Sequence, residues 1–278
     1  MNRLLIHSVS TVPRAAPDLF RRGSFCHSSS QLLPSSAVRP LAVLTALLMI
    51  CAPAQALSSS DLTYRGAAYF VVTVQPSQDK LRLSWQDVNK QPYGTVTALK
   101  SALAVQGKQL LFATNSGIYA PGLRPLGLHV QRGETLVGLN RARSGGNFAL
   151  LPNGVFWVQG TKAGVSESRV YAASNLKPDY ASQSGPLLVQ GGTLHPSFNA
   201  GSVSLKLRSG VGVCKGGVVK FAISEGAVNF YDFARFFRDV LGCPDALYLD
   251  GSISTIYTPG RGDRQLALYA GIWAVTDR

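Results

Sequence analysis

The 278-residue chain carries 27 Lys and Arg against 14 Asp and Glu, a formal net charge of +13, and 46% of its residues are hydrophobic. The basic residues are scattered singly, with no run of the kind that tracks a nucleic-acid backbone, so nucleic acid is excluded as the expected partner. Phosphorylated or acidic glycans of a cell envelope suit the charge better, although secreted proteins are commonly basic and charge alone decides nothing.

Residues 1–40 are rich in Ser, Pro and Arg and hold a single acid, Asp18. Arg39-Pro40, the apolar run 41–50 and Ala54-Gln55-Ala56 follow, which together read as the basic region, apolar region and cleavage site of a secretory signal. The apolar run is too short for a spanning helix, and the bulky Ile50 before Cys51 argues against a lipoprotein site. Cleavage is expected after Ala56, leaving no stable membrane anchor and a periplasmic or secreted product. Residues 1–37 lie upstream of an alternative start at Val38, and an organelle transit peptide ranks behind secretion. The remaining 222 residues, 57–278, have a net charge of +9 and suffice for one domain with a sizeable core. They retain two cysteines, Cys214 and Cys243, which read as a disulfide pair or as two buried thiols.

After a polar leader, residues 67–74 and 81–85 have strand character, joined by a turn with Pro76. Val96, Leu99, Ala102 and Leu103 recur at helical spacing within 95–106, with Gly107 as the stop. Residues 110–114 form a strand that runs into Asn115-Ser116-Gly117. Hairpins are expected for 126–130 with 135–139, and for 148–151 with 155–159 about Asn153-Gly154. Residues 187–190 turn at Gly191-Gly192, and 211–214 turn at Lys215-Gly216-Gly217 into 218–223. A single strong helix follows, with Phe230, Phe233, Ala234, Phe237, Val240 and Leu241 on one face, Asn229 as its cap and Gly242 as its end. Its aromatic stripe is core packing. The class is α+β: β-rich mixed sheets built from hairpins with a few flanking helices, in a single domain.

The most telling stretch is Ala246-Leu247-Tyr248-Leu249-Asp250-Gly251-Ser252-Ile253-Ser254, an apolar strand that delivers one carboxylate to its end. A buried unpaired charge is costly, so such a group is either closely satisfied or held for chemistry. The chain has no metalloprotease, zinc-cluster, P-loop or Gly-x-Ser-x-Gly signature. His129 and His195, the two histidines after residue 56, read as structural. Several polar residues sit beside glycine at strand ends: Asn115 with Gly117; Gln183, Ser184 and Gly185; Arg208, Ser209 and Gly210; Glu225 with Gly226; and Asp250, Gly251 and Ser252. Each alone reads as a turn residue, and their repetition is what suggests a site. Arg261-Gly262-Asp263 reads as a surface turn.

These segments resemble the phosphodiester glycosidase domain. The likeness rests on Phe112-Ala113-Thr114-Asn115-Ser116-Gly117-Ile118-Tyr119, Pro125-Leu126-Gly127-Leu128, Asn147-Phe148, and Leu151-Pro152-Asn153-Gly154-Val155-Phe156. It continues through Gln183-Ser184-Gly185-Pro186, Arg208-Ser209-Gly210-Val211-Gly212, Ser224-Glu225-Gly226 and Leu249-Asp250-Gly251-Ser252-Ile253-Ser254. The resemblance implies hydrolysis at the anomeric carbon of a sugar joined through a phosphodiester. It assigns Asp250 and Glu225 as catalytic carboxylates and Arg208 as the phosphate-binding cation. Asn115, Gly117, Ser184, Gly185, Ser209, Gly210, Gly251 and Ser252 line the substrate. No cofactor and no metal is expected, although Asp250 with main-chain carbonyls has the oxygen chemistry of a calcium site. An animal branch carries Asp-Gly-Gly-Gly-Ser where this chain has Asp250-Gly251-Ser252-Ile253-Ser254, which puts the sugar in doubt and leaves the reaction class intact. The expected function is a secreted hydrolase that cleaves a sugar from a phosphodiester-linked glycoside. Its alternative is a non-catalytic module that binds or assembles envelope polysaccharide.

Overall fold

The structure, a computed structural model, describes residues 57–142, 146–251, 253–262 and 268–277. The expected secretory signal, Ser252 and Asp263 lie outside the described residues. The strands in chain order are β1 (Ser58–Tyr64), β2 (Ala67–Val74), β3 (Lys80–Ser84), β4 (Leu110–Asn115), β5 (Tyr119–Ala120) and β6 (Arg124–Pro125). Then come β7 (His129–Gln131), β8 (Glu134–Val137), β9 (Gly154–Gln159), β10 (Lys162–Glu167), β11 (Tyr180–Ser184) and β12 (Leu187–Gln190). Last are β13 (Thr193–Leu194), β14 (Ser209–Val213), β15 (Val219–Ser224), β16 (Asp245–Asp250), β17 (Ile256–Tyr257) and β18 (Ile272–Thr276). Three helices interrupt them: α1 (Val96–Val105), α2 (Ser168–Ala173) and α3 (Phe230–Arg235).

Three sheets carry the domain, ordered β1-β2-β15-β14-β16-β12-β13, β10-β9-β11-β7-β8 and β17-β4-β18-β3. The strand pairs described are antiparallel. A central core takes Phe70, Phe221 and Leu249 from the first sheet, Phe156 from the second, and Phe112 and Trp273 from the third. Two polar bonds tie the sheets through this core: Trp273 Nε1 donates to Ser182 Oγ at 3.0 Å, and Ser182 Oγ donates to the Ser116 carbonyl at 3.1 Å.

The other face of the seven-stranded sheet packs on α3 and on the π-helical turn Phe236–Val240 that prolongs it. Asn229 caps α3 as its sequence position predicts, accepting from Asp232 N at 2.8 Å. The wider turn adds a residue to the helical repeat. Phe236 and Phe237 are therefore both fully buried, whereas Val240, expected on the inner face, is 41% exposed. Thr95 caps α1, accepting from Ala98 N at 2.9 Å. Cys214 and Cys243 are bonded, joining the end of β14 to the segment before β16.

Two expectations need correction. The leader before residue 67 is strand β1, an edge strand whose polar side chains face solvent and conceal its β character. Residues 148–151 do not pair with 155–159. Asn153 is buried and donates from Nδ2 to the Phe148 carbonyl at 2.8 Å, so Asn-Gly closes a compact loop and not a hairpin. The partner of β9 is β10, reached through a turn at Gly160, where φ is +57°.

Candidate active site

Four strand ends meet. Asn115 is the last residue of β4, Ser184 the last of β11, Ser209 the first of β14 and Asp250 the last of β16. Ser209 is paired directly opposite Asp250, and a register shift follows immediately, so that Gly210 opposes Tyr248. Directly opposed residues project to one face of a sheet, and a bulge re-aims the side chains beside it. Asp250 is thereby turned to the face of Ser209.

Hydrogen bonds lock the cluster. Asn115 Nδ2 donates to Ser209 Oγ at 3.3 Å, and Asn115 Oδ1 accepts from Thr255 N at 3.3 Å. Ser209 Oγ also lies 3.3 Å from the Asp250 carbonyl. Ser254 Oγ donates to the same carbonyl at 2.7 Å and sits 3.0 Å from Ser209 Oγ. Ser184 Oγ donates to the Leu249 carbonyl at 2.9 Å. Gly117, with φ +149°, brings its backbone against this serine: a Cβ there would stand 3.0 Å from Ser184 Cβ. The main chain around Asp250 is thus held from three sides, which leaves the carboxylate as the group with freedom to act.

Burial pushes the Asp250 carboxyl up to about 6, while the Gly251 N–H, which donates to Oδ1, works in the opposite direction. Tyr119 lies within electrostatic range of the same carboxylate. Its phenol is raised first by burial and then by the charge on Asp250. Two strand-end polar residues therefore carry no signal of their own in sequence. Tyr119 lies in the resembling segment without an assigned role, and Ser254 looks like any turn serine.

The remaining nominated residues are distributed around this cluster. Arg208 is 1% exposed and belongs to the α3 side of the sheet. Its Nε donates to the Val228 carbonyl at 2.8 Å and its Nη2 to the Ser204 carbonyl at 2.9 Å, and its Cζ lies 3.6 Å over the Phe230 ring. Nη1 has no hydrogen-bond partner. Burial lowers its pKa, with the Tyr248 hydroxyl acting against that. Glu225 accepts from Arg261 Nη2, and Arg261 Cζ lies 4.3 Å over the Phe70 ring. The turn at Thr258–Gly262 is present, yet its arginine is not a surface group, since only 16% of the side chain is exposed. Gly210 lies under Phe237, Gly185 against Asn153, and Gly251 beside the Tyr248 hydroxyl.

Arg261 and Asp250 are connected by a row across the sheet. Phe70 pairs with Ile223, Ile223 with Ser209, and Ser209 with Asp250. Three inter-strand steps of about 4.8 Å separate the ends of that row by roughly 14 Å at Cα. Gln183, by contrast, is a structural hub. Its Oε1 accepts from Leu128 N at 3.1 Å and Asn140 N at 2.8 Å, and its Nε2 donates to the Asn140 carbonyl and to Ser168 Oγ.

An antiparallel three-sheet domain with this strand-end cluster belongs to the phosphodiester glycosidase family, whose profile matches residues 102–267. The chain is 38% identical over 217 residues to the Escherichia coli K12 protein YigE, covering 78% of this chain and 84% of that one. In fold it is similar to the catalytic domain of zebrafish N-acetylglucosamine-1-phosphodiester alpha-N-acetylglucosaminidase, auto-inhibited by its pro-peptide. There the TM-score is 0.56 at 16% identity, over 80% of this chain and 82% of that one. A hypothetical protein from Synechocystis gives a TM-score of 0.51 at 16% identity, over 80% of this chain and 62% of that one. Among the described residues no helix is long and apolar enough to cross a membrane.

Proposed function

We propose that the protein is a secreted or periplasmic hydrolase that releases a sugar from a phosphodiester-linked glycoside. The observation that carries this reading is Asp250, a half-buried carboxylate fixed by its own main chain at the meeting point of four strand ends. In the proposed reaction water adds to the anomeric carbon as the C1–O bond to phosphorus breaks. The electron pair leaves on the phosphoryl oxygen, giving a phosphomonoester and the free sugar. Phosphate is a good leaving group and needs little protonation, so one carboxylate that stabilises positive charge on the ring and accepts the water proton suffices.

Asn115 and Ser209 keep Asp250 in place. Glu225, the second carboxylate that the resemblance assigns, is held by Arg261 and is not required by that step. Arg261 stands on the Asp250 face of the sheet, three strands away, and is a candidate cation for a part of the substrate remote from the reacting carbon. Arg208, on the other face, braces the backbone from Ser204 to Val228. The leader sequence and the Cys214–Cys243 bond support an oxidising, extracytoplasmic site.

The test is to incubate purified residues 57–278 with a panel of sugar 1-phosphodiesters and to identify products. Release of free sugar by the wild type and its loss in Asp250→Asn supports the proposal. Equal turnover by the variant would remove Asp250 from the mechanism. Saturable binding of phosphorylated glycans without any product would favour a binding module.

A further inference from the structure

A second feature lies on the far side of the Ser184–Gly185 strand end. A cleft of about 710 Å³ opens between the segment 139–142, the loop 151–153, and the start and outer face of α2. That volume falls within the roughly 300–1,000 Å³ typical of small-molecule sites. Its walls alternate in character. Leu151, Pro152 and Ala172 offer apolar surface, whereas Asn153 and Ser168 are buried polar groups already engaged with the protein. Faces of this kind suit sugar rings, which present C–H patches between hydroxyls.

The charges at the mouth select further. Arg141 is exposed and bears no ion pair among the described residues, while Arg169 pairs with Glu167 at 3.3 Å and keeps 85% of its side chain in solvent. Glu167 is spoken for twice, by that arginine and by Val170 N at 3.2 Å. The rim is therefore net cationic.

The cleft is also next to the candidate active site. A Cβ on Gly185 would stand 2.6 Å from Asn153 Cβ in the cleft wall, and the adjacent Ser184 holds the Leu249 carbonyl beside Asp250. Only that short turn separates the two. None of the strand-end residues assigned to the reaction lines it.

We propose that this cleft is a distal subsite for an anionic glycan, taking a neighbouring sugar-phosphate unit when the substrate is a phosphodiester-linked oligomer. The inference rests on the hydrolase reading for its substrate class. Guanidinium groups at the rim bind the second phosphate, and the sugar lies against Leu151 and Ala172.

Two substitutions test it: Arg141→Glu, on an exposed side chain, and Ala172→Trp, which fills the cleft from an exposed helix position. Three probes are used: a sugar 1-(methyl phosphate), a trisaccharide with two phosphodiester bridges, and an uncharged dextran trisaccharide. Each variant is expected to raise KM for the bridged trisaccharide at least tenfold. It should leave kcat, and both constants for the methyl phosphodiester, within twofold of wild type. Equal effects on both substrates, or none on the trisaccharide, would overturn the subsite. Calorimetry on Asp250→Asn separates this result from failure of the hydrolase reading. Tenfold weaker trisaccharide binding in the double variants Asp250→Asn/Arg141→Glu and Asp250→Asn/Ala172→Trp supports the subsite even if no substrate is turned over. Unchanged or absent binding refutes it. Dextran binding equal to that of the bridged trisaccharide would refute the anionic preference.

Discussion

Ser209 and Asp250 face each other across neighbouring strands, and Ser209 Oγ lies 3.3 Å from the Asp250 carbonyl. This contact fastens the main chain of the carboxylate residue, whose Oδ1 accepts only from the adjacent Gly251 N among the described bonds. Rigid support beneath a free functional group is the arrangement expected of a preorganised site.

The first prediction concerns Asp250 as a source of instability. Its carboxyl is raised from 3.8 to about 6, so the folded state binds the proton more tightly than the unfolded chain. The advantage of the protonated form is complete below about 3.8 and is lost as pH rises through about 6. Ionised Asp250 thus destabilises the fold near neutrality. Asp250→Asn should raise stability by about 3 kcal/mol at pH 7.5 and by little at pH 4. Urea melts at the two pH values measure the difference.

The same group should shape the pH dependence of turnover. If the ionised carboxylate is the active form, kcat/KM rises with pH along a limb centred near 6. A profile that falls through that range would make protonated Asp250 the working species.

Arg208 is expected to behave as a structural cation. Removing its side chain leaves the Val228 and Ser204 carbonyls without donors and strips a guanidinium from the Phe230 ring. Arg208→Ala should lose about 2–4 kcal/mol. Arg208→Lys should not restore it, since an ammonium lacks the planar fork that meets both carbonyls while stacking. Thermal denaturation of both variants decides this.

Asn115→Ala should reduce kcat more than it raises KM. Asn115 Oδ1 and Nδ2 connect Thr255 and Ser209 across two sheets, and neither contact requires substrate. A loss of roughly tenfold or more in kcat is expected from a misplaced carboxylate, read from steady-state kinetics on a sugar 1-phosphodiester.

Reduction should weaken the domain without dismantling the strand-end cluster. The Cys214–Cys243 bond closes a loop with a sequence separation of 29, worth roughly 3–4 kcal/mol in loop-closure terms. A reduced or Cys214→Ser/Cys243→Ser protein should melt at lower denaturant yet keep its KM.

Local sequence was sufficient for α1, whose Thr95 cap and spaced leucines are written in adjacent residues, and for the β14–β15 hairpin with its Gly-Gly turn. It was misleading at Asn153-Gly154, where a buried side-chain amide overrides the usual turn chemistry. It also missed the extra residue of the π-helical turn, because periodicity over two turns cannot register a change of one position. Arg261 was unreadable for another reason. A turn motif looks solvated until the ring of Phe70 and the carboxylate of Glu225, both distant in sequence, come to meet it.

What the sequence determined by itself is the set of polar residues at strand ends and the family to which their order belongs. Those are properties of neighbours along the chain: where an apolar run stops, and which side chain stands there. The tertiary structure alone decided which of them lie together. Antiparallel pairing and one bulge turn Asp250 to the face of Ser209, Asn115 and Arg261, while β alternation sends Arg208 through the sheet to α3. The face of a strand depends on register, and register is fixed by partners that lie scores of residues away.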